Sequence, residues 1–421
     1  MKNLELYIHI PFCLKKCAYC DFLSFSCDEN TQFAYADALI REIEFFGSKM
    51  KEYQVSTIFV GGGTPTWLDE NKMVEILDAV YTHFQILPDA EVTMECNPGT
   101  VTIAKLEKYR KAGVNRLSIG LQSADDGELK VLGRIHNYEK FLRTYEMARN
   151  AGFSNINVDL ISGIPYQTAE KFLQSLQKIM RLKPNHISVY SLIIEEGTPF
   201  FEAYKSDLEK QQAGMQTEIL PTEDEVYKTI QLTQQFLAGA GYEQYEISNF
   251  ALPGFACRHN IGYWTRENYL GLGLGAASLI ENIRYTNTTD MESYLRNSQH
   301  IEFRFLEKQR GRNVQKESCE SQDEVYRRMM WEWGTNLHIA ADVVSRKAQM
   351  EEFMFLGLRM KDGVTRKKFE ENFGVPIEAV YKTALDHLKE QGLLEMNTGS
   401  IRLTERGQDV SNYALAQFLF E

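Results

Sequence analysis

The chain has 421 residues, 43% of them hydrophobic, and a formal net charge of −12. That length suits two or three domains, the composition is that of an ordinary globular protein, and an acidic balance without a basic stripe excludes a nucleic-acid footprint. No signal-peptide core follows Met1-Lys2-Asn3, and the longest weakly polar run, 269–280, is glycine-rich and too short for a membrane span. Seven cysteines, three of them clustered, point to a metal in a reducing compartment rather than to a disulfide framework. The expected location is the cytoplasm; peripheral membrane contact and a homodimer stay open.

The apolar run 6–10 predicts a first strand. Directly after it come Cys13, Cys17 and Cys20, spaced x3 then x2, with the aromatic Tyr19 before the last. A zinc site wants a fourth ligand or a second cysteine pair, and none follows. Three thiolates suit a [4Fe–4S] cluster with one open iron, which an amine and a carboxylate can occupy, as in S-adenosylmethionine (SAM). Left unbound, three crowded thiols are an oxidation liability. C-x3-C-x2-C with that aromatic is the radical-SAM signature.

Helices are expected over 31–46, 69–83, 102–112, 138–151, 170–182 and 223–238, alternating with strands at 55–60, 91–95, 116–119, 156–160 and 186–190. Gly113, Gly152 and Gly241 each close a helix before the next strand, as a C′ glycine does. Such alternation predicts an α/β fold with a parallel sheet, a partial (βα)6 TIM-like barrel.

The polar residues fall at the C-terminal strand ends, where parallel barrels collect their chemistry. The cysteines follow strand one, and Gly61-Gly62-Gly63-Thr64-Pro65 follows strand two. Glu95 ends strand three, Gln122 lies just past strand four, and Asp159 closes strand five. The glycines allow close backbone approach, and their N–H groups could meet a carboxylate or hydroxyl. Glu95 could accept from an ammonium, Arg134 could grip a carboxylate, and Asp159 could bond ribose hydroxyls. Taken singly, each has a plainer reading: a tight turn, a solvated carboxylate, a surface arginine, a loop cap.

Residues 7–13 with Cys17 and Cys20, the 61–66 loop, Glu95-Cys96-Asn97-Pro98 and 117–123 together resemble the anaerobic coproporphyrinogen dehydrogenase (HemN) superfamily of radical-SAM proteins. The resemblance runs from residue 5 to about 295 and resumes near 351. It implies a [4Fe–4S] cluster on Cys13, Cys17 and Cys20, and SAM contacts from Tyr7, Tyr19, Gly62, Gly63, Thr64, Glu95, Gln122, Arg134 and Asp159. It also implies reductive cleavage of SAM to methionine and a 5′-deoxyadenosyl radical, with the protein supplying orientation and a dry pocket. Whether SAM is cleaved or only bound stays open, and no catalytic residue is assigned.

Two features separate the branches of that superfamily. The dehydrogenase typically carries a further cysteine two positions after the third, where this chain has Phe22. Residues 257–264 contain His259, Tyr263 and Trp264 in a pattern similar to the H-N-x-x-Y-W element of the HemW branch. There His259 would be an axial heme ligand, with Tyr263 and Trp264 packed on the porphyrin; an isolated histidine at a domain junction is more commonly structural. Relatives usually show a histidine where this chain has Ala277, which puts bis-histidine ligation in doubt. The resemblance thus implies a heme chaperone that passes heme to acceptor hemoproteins. The alternatives are an oxygen-independent coproporphyrinogen III dehydrogenase and a structural Fe–S or zinc protein. Cys27, Cys96, Cys257 and Cys319 read as plain thiols.

Over 301–350 the family pattern breaks. The stretch reads as an insertion, either a mobile surface excursion or a lid or partner-docking element using Trp331 and Trp333. Beyond it, helices at 365–373 and 377–391 and a strand–turn–strand at 393–403 predict a small α+β winged-helix-like domain. Its mixed charge favours a protein or substrate contact over DNA. The expected domains are 1–240 (core), 241–300 (extension), 301–350 (insertion) and 351–421 (C-terminal domain).

Overall fold

The computed structural model describes residues 1–303 and 334–420. Six strands run parallel in chain order: β1 (Lys2–Ile10), β2 (Tyr53–Gly62), β3 (Ile86–Cys96), β4 (Arg116–Gln122), β5 (Asn155–Ser162) and β6 (His186–Ser191). The crossovers are α1 (Glu29–Gly47), α2 (Glu70–His83), α3 (Ile103–Lys111), α4 (Asp126–Val131) with α5 (Tyr138–Asn150), and α6 (Ala169–Met180). Side-chain caps start most of them: Asp28, Asp69, Thr102, Asn137 and Thr168 each accept a backbone N–H of the first turn. Gly113, Gly152 and Gly241 take φ of 102°, 90° and 85°, the left-handed turn expected of them.

Alternation along β1 explains the layering. Leu4, Leu6, Ile8 and Ile10 are fully buried in the main apolar core, with Leu39 and Ile43 of α1 in the same cluster. Each such side chain contributes about 1.5–3 kcal/mol on burial. The intervening Glu5, Tyr7 and His9 occupy the opposite face, the barrel interior. That interior is unusually polar: Thr57, Thr93, Arg116, Ser118, Asn157, His186 and Ser188 are buried on the same strands.

After β6 come α7 (Pro199–Gln212), α8 (Glu223–Gly239), β7 (Glu243–Gln244), β8 (Asn249–Ala251), α9 (Arg258–Trp264), β9 (Tyr269–Leu272), β10 (Ala277–Ile280), β11 (Ile283–Asn287), α10 (Met291–Asn297) and β12 (His338–Val343). These strands extend both edges of the barrel. β9 pairs parallel to β1 and carries β10, β11 and β12 beyond it, while β8 runs antiparallel to β6. Residues 338–343, expected as part of an insertion, thus form the edge strand of the main sheet. Trp331 and Trp333 lie outside the described residues.

One fully buried carboxylate pins this extension to the barrel. Glu42 of α1 accepts from Gly273 N (2.9 Å), Asn287 Nδ2 (2.7 Å) and Tyr294 Oη (2.5 Å). Burial pushes it up to about 7 against the pull of those donors.

The C-terminal unit has its own apolar core around Phe353, Phe369, Phe373, Tyr381 and Phe418. It comprises α11 (Arg346–Gly357), α12 (Arg366–Phe373), α13 (Ile377–Glu390) and a three-stranded antiparallel wing, β13 (Val364–Thr365), β14 (Leu394–Met396) and β15 (Ser400–Leu403). Glu352 of α11 docks it, taking Arg266 Nε at 2.9 Å and Arg284 Nη2 at 3.0 Å.

Candidate cluster and cofactor site

The cysteine loop is held from both sides. Cys13 N–H donates to Phe25 O, Phe25 N–H to Pro11 O, and Ala18 N–H to Leu132 O. The three thiols are partly exposed. Burial pushes the Cys20 thiol up, and Cys17 and Cys13 add to that, so the three share one electrostatic environment. Among the described residues no three His, Cys, Asp or Glu side chains converge on a single metal ion. Three thiolates on one loop suit a cluster in which each takes its own iron.

Donors are aimed at two of the sulfurs. Asn97 Nδ2 donates to Thr64 Oγ1 at 2.7 Å, which leaves the Thr64 proton for Cys13 Sγ at 3.4 Å. Asn97 Oδ1 in turn accepts from Arg134 Nη2 (2.8 Å), which also reaches Gly120 O (2.7 Å), while Arg134 Nη1 lies 3.6 Å from Cys17 Sγ. Hydrogen bonds to sulfur favour the thiolate and tune a cluster. Arg134 Nε is buried without a partner, so the guanidinium keeps capacity for a ligand carboxylate.

The structure brings Tyr7, Gly62, Gly63, Thr64 and Glu95 together at the mouth of β1, β2 and β3. Gly62 has φ 113°, and a Cβ there would sit 2.6 Å from the His9 ring; at Gly63 it would sit 2.8 Å from Phe12 O. Only glycine allows either approach. The expected role of their N–H groups differs, however. Gly62 N–H is spent on Glu95 Oε2 (3.1 Å), Gly63 N–H on Ile10 O and Thr64 N–H on Phe12 O. The run therefore offers a ligand close backbone approach, not free donors.

Asp159 does not close its strand. It lies inside β5, with three strand residues after it, and its carboxylate accepts from Ser118 Oγ (3.0 Å) and Asn157 Nδ2 (2.7 Å). Burial raises it above the usual carboxylate range. Burial, then the charge of Asp159, pushes Glu95 up to about 8, and the Gly62 N–H pulls it back. Two desolvated acids facing one mouth are the surroundings a cation relieves, and SAM brings an ammonium and a sulfonium. Gln122 ends β4 at φ 74° beside a register shift, a left-handed residue held in place by tertiary structure. Tyr19 packs edge-on to Phe200 at 6.3 Å.

His259, Tyr263 and Trp264 lie on α9, away from the cysteine loop. His259 is 1% exposed; its Nδ1 meets Thr57 Oγ1 (2.7 Å) and its Nε2 meets Tyr263 Oη (3.1 Å). Burial holds its ring neutral, at about 3. Arg359 of the C-terminal unit covers the Trp264 ring at 4.5 Å. Ala277 opens β10, opposite Thr286.

Two residues the sequence reading left without a role complete the site. Asn97 bridges Thr64 and Arg134, and its place directly after Glu95-Cys96 was the available signal. His9 links Tyr7 to the cysteine loop, and its inward register on β1 was the signal for it.

Comparison with known proteins gives the family. The Radical SAM superfamily profile matches residues 7–179 and the HemN C-terminal domain profile residues 344–410. A protein of Lactococcus lactis named heme chaperone HemW is 33% identical over 420 residues, covering 100% of this chain and 98% of its own. A Bacillus subtilis protein of the same name is 32% identical over 416 residues, 99% of each. The solved structure of Escherichia coli coproporphyrinogen III oxidase (HemN), a radical SAM enzyme, matches with a TM-score of 0.78 at 23% identity, over 99% of this chain and 90% of that one, which shows the shared fold. With full-length relatives above 30% identity and a radical-SAM core, the chain belongs to the HemW family of radical-SAM proteins.

Proposed function

We propose that the protein is a heme chaperone, holding a [4Fe–4S] cluster and SAM at the barrel mouth and passing heme to acceptor hemoproteins. The observation that carries this reading is the likeness, over essentially the whole chain, to proteins named heme chaperones. Phe22 supports it: it stands 71% exposed beside Cys20, where a dehydrogenase would typically carry a further cysteine.

Cys13, Cys17 and Cys20 would hold the cluster, and cluster and SAM together would supply one-electron cleavage chemistry. Glu95 would face the ammonium of SAM and Asp159 its ribose hydroxyls; Arg134 would grip its carboxylate and Gln122 a further polar group. Gly62, Gly63 and Thr64 let the backbone close on it, and Tyr7 and Tyr19 wall the mouth. For heme, His259 is the candidate ligand, with Tyr263 and Trp264 beside it. Ligation there requires Nε2 to give up the Tyr263 hydroxyl and α9 to open. A cytoplasmic location fits seven cysteines with three clustered as metal ligands. No helix among the described residues is long and apolar enough to cross a membrane.

Anaerobic reconstitution followed by heme titration, beside a coproporphyrinogen assay, tests the reading. About four irons per chain and stoichiometric heme uptake are expected. Turnover of the porphyrinogen to its vinyl product would overturn the chaperone reading. Unchanged heme affinity in His259→Ala would remove that ligand alone.

A further inference from the structure

We propose that His259 is a positioning residue for the cluster and SAM site, acting through a column of rings that runs up the barrel interior to the cysteine loop. The proposal rests on Cys13, Cys17 and Cys20 holding the cluster, and not on heme binding.

The column starts on α9. The His259 ring lies 5.2 Å from Phe59 at an interplanar angle of 26°, and Phe59 lies 6.4 Å from Tyr7 at 25°. Tyr7 Oη is 2.9 Å from His9 Nδ1, and His9 Nε2 is 2.9 Å from Leu23 O, three residues past Cys20. The carbonyl can only accept, so Nε2 carries the His9 proton and Nδ1 accepts from Tyr7. That fixes a direction: Tyr7 O–H to His9, His9 N–H to the loop. His259 and His9 are buried and Phe59 and Tyr7 half-buried, and packed side chains transmit displacement instead of absorbing it.

Two links of the column, Phe59 and His9, touch the site. A Cβ on Gly61 would lie 2.9 Å from Phe59 and 3.1 Å from Glu95 Oε2, so Phe59 and Glu95 press on the same backbone. The Gly62 backbone abuts the His9 ring. The base is equally fixed. Tyr263 stands edge-on to Tyr269 of β9 at 4.8 Å, and Gly262 packs so closely that a Cβ would lie 2.0 Å from the Glu5 carboxylate. His259 therefore sets where Phe59 rests, Phe59 sets Tyr7, and Tyr7 sets His9, the Gly62 turn and the cysteine loop.

Three variants test this: His259→Ala, Phe59→Leu, which breaks the column without touching either hydrogen-bonded end, and His259→Phe, which restores a ring but not its hydrogen bonds. The first readout is the alkylation rate of Cys13, Cys17 and Cys20 in the cluster-free chain, with Cys27 as internal reference. The second is SAM affinity of the reconstituted protein, with the electron paramagnetic resonance spectrum of the reduced cluster. In the first two variants the triad should alkylate faster relative to Cys27 and SAM affinity should fall about tenfold, a modest coupling between sites. His259→Phe should recover most of both. Wild-type rates and affinity in both breaking variants would overturn the proposal. So would an equal rise at Cys27 and the triad with no rescue, which marks a merely structural role. A wild-type chain that takes up no iron would instead defeat the cluster reading, and the alkylation arm keeps the two failures apart.

Discussion

Two buried glutamates differ in one respect. Glu42 is fully enclosed, yet three donors converge on it, from Gly273, Asn287 and Tyr294. Glu95 sits at the mouth with a single backbone donor and a second acid close by. Both titrate above the ordinary carboxylate range because burial disfavours charge, but Glu95 does so with fewer compensations. A carboxylate satisfied by its own protein holds structure together. One left short of partners is shaped for something that arrives from outside.

Removal of Glu42 should break the first half of that contrast most severely. Glu42→Ala leaves three buried donors unpaired, and we expect a loss of about 3–5 kcal/mol, read as a lower denaturation midpoint; a change below about 1 kcal/mol would show that the extension is held by packing alone. Glu95→Gln should leave stability intact while SAM affinity falls by about ten- to a hundredfold, the scale of a lost charge-assisted bond. Equal affinity would remove Glu95 from the ligand set.

The pH dependence sharpens the comparison further. Burial pushes Glu95 up to about 8 in the fold against an ordinary value of 4.5. The ligand-free fold therefore binds the extra proton, and stability falls as pH rises through that window. Saturating SAM should flatten the slope. His259 has the opposite sign: with a folded value of about 3 against 6.5, its contribution is present above 6.5 and is lost as pH falls toward 3. Denaturation midpoints across pH, with and without SAM, and in Glu95→Gln and His259→Phe, separate the two. The smallest effect is expected at Gln122. Gln122→Gly relieves a left-handed backbone and should raise stability by up to about 1 kcal/mol while weakening SAM binding. A loss of stability would mean that the side chain, not the turn, is what the fold needs.

Much of this was legible from residues alone. β-branched runs between amphipathic helices with glycine C-caps marked the six parallel strands, and the cysteine spacing pointed to the loop at their mouth as the candidate site. Glu95 was singled out because it stands at a strand end. The rest was hidden for physical reasons. β9 to β12 are four to six residues long and lack the regular alternation with long helices that marked the first six strands. α9 begins at Cys257 without a side-chain cap, so the motif at 259–264 gave no helix signal. Glu42 looks like any solvated helical glutamate, because its partners Asn287 and Tyr294 lie far along the chain. The N–H groups of the glycine run were expected to face a ligand, and only the β1 and β3 neighbours reveal that they are taken.

The position of β1 has a consequence for how the protein is made. Its apolar face lies in the core, and its two hydrogen-bonding edges are filled by β2 and, through Glu5 opposite Tyr269, by β9. During synthesis the first edge can be closed early, whereas the second stays unpaired until most of the chain has left the ribosome. For that interval a long, apolar, unprotected strand edge is available to other chains. The nascent protein is thus most exposed to misassembly at the segment that leads into its cysteine loop, and slowing translation before Tyr269 should lower soluble yield.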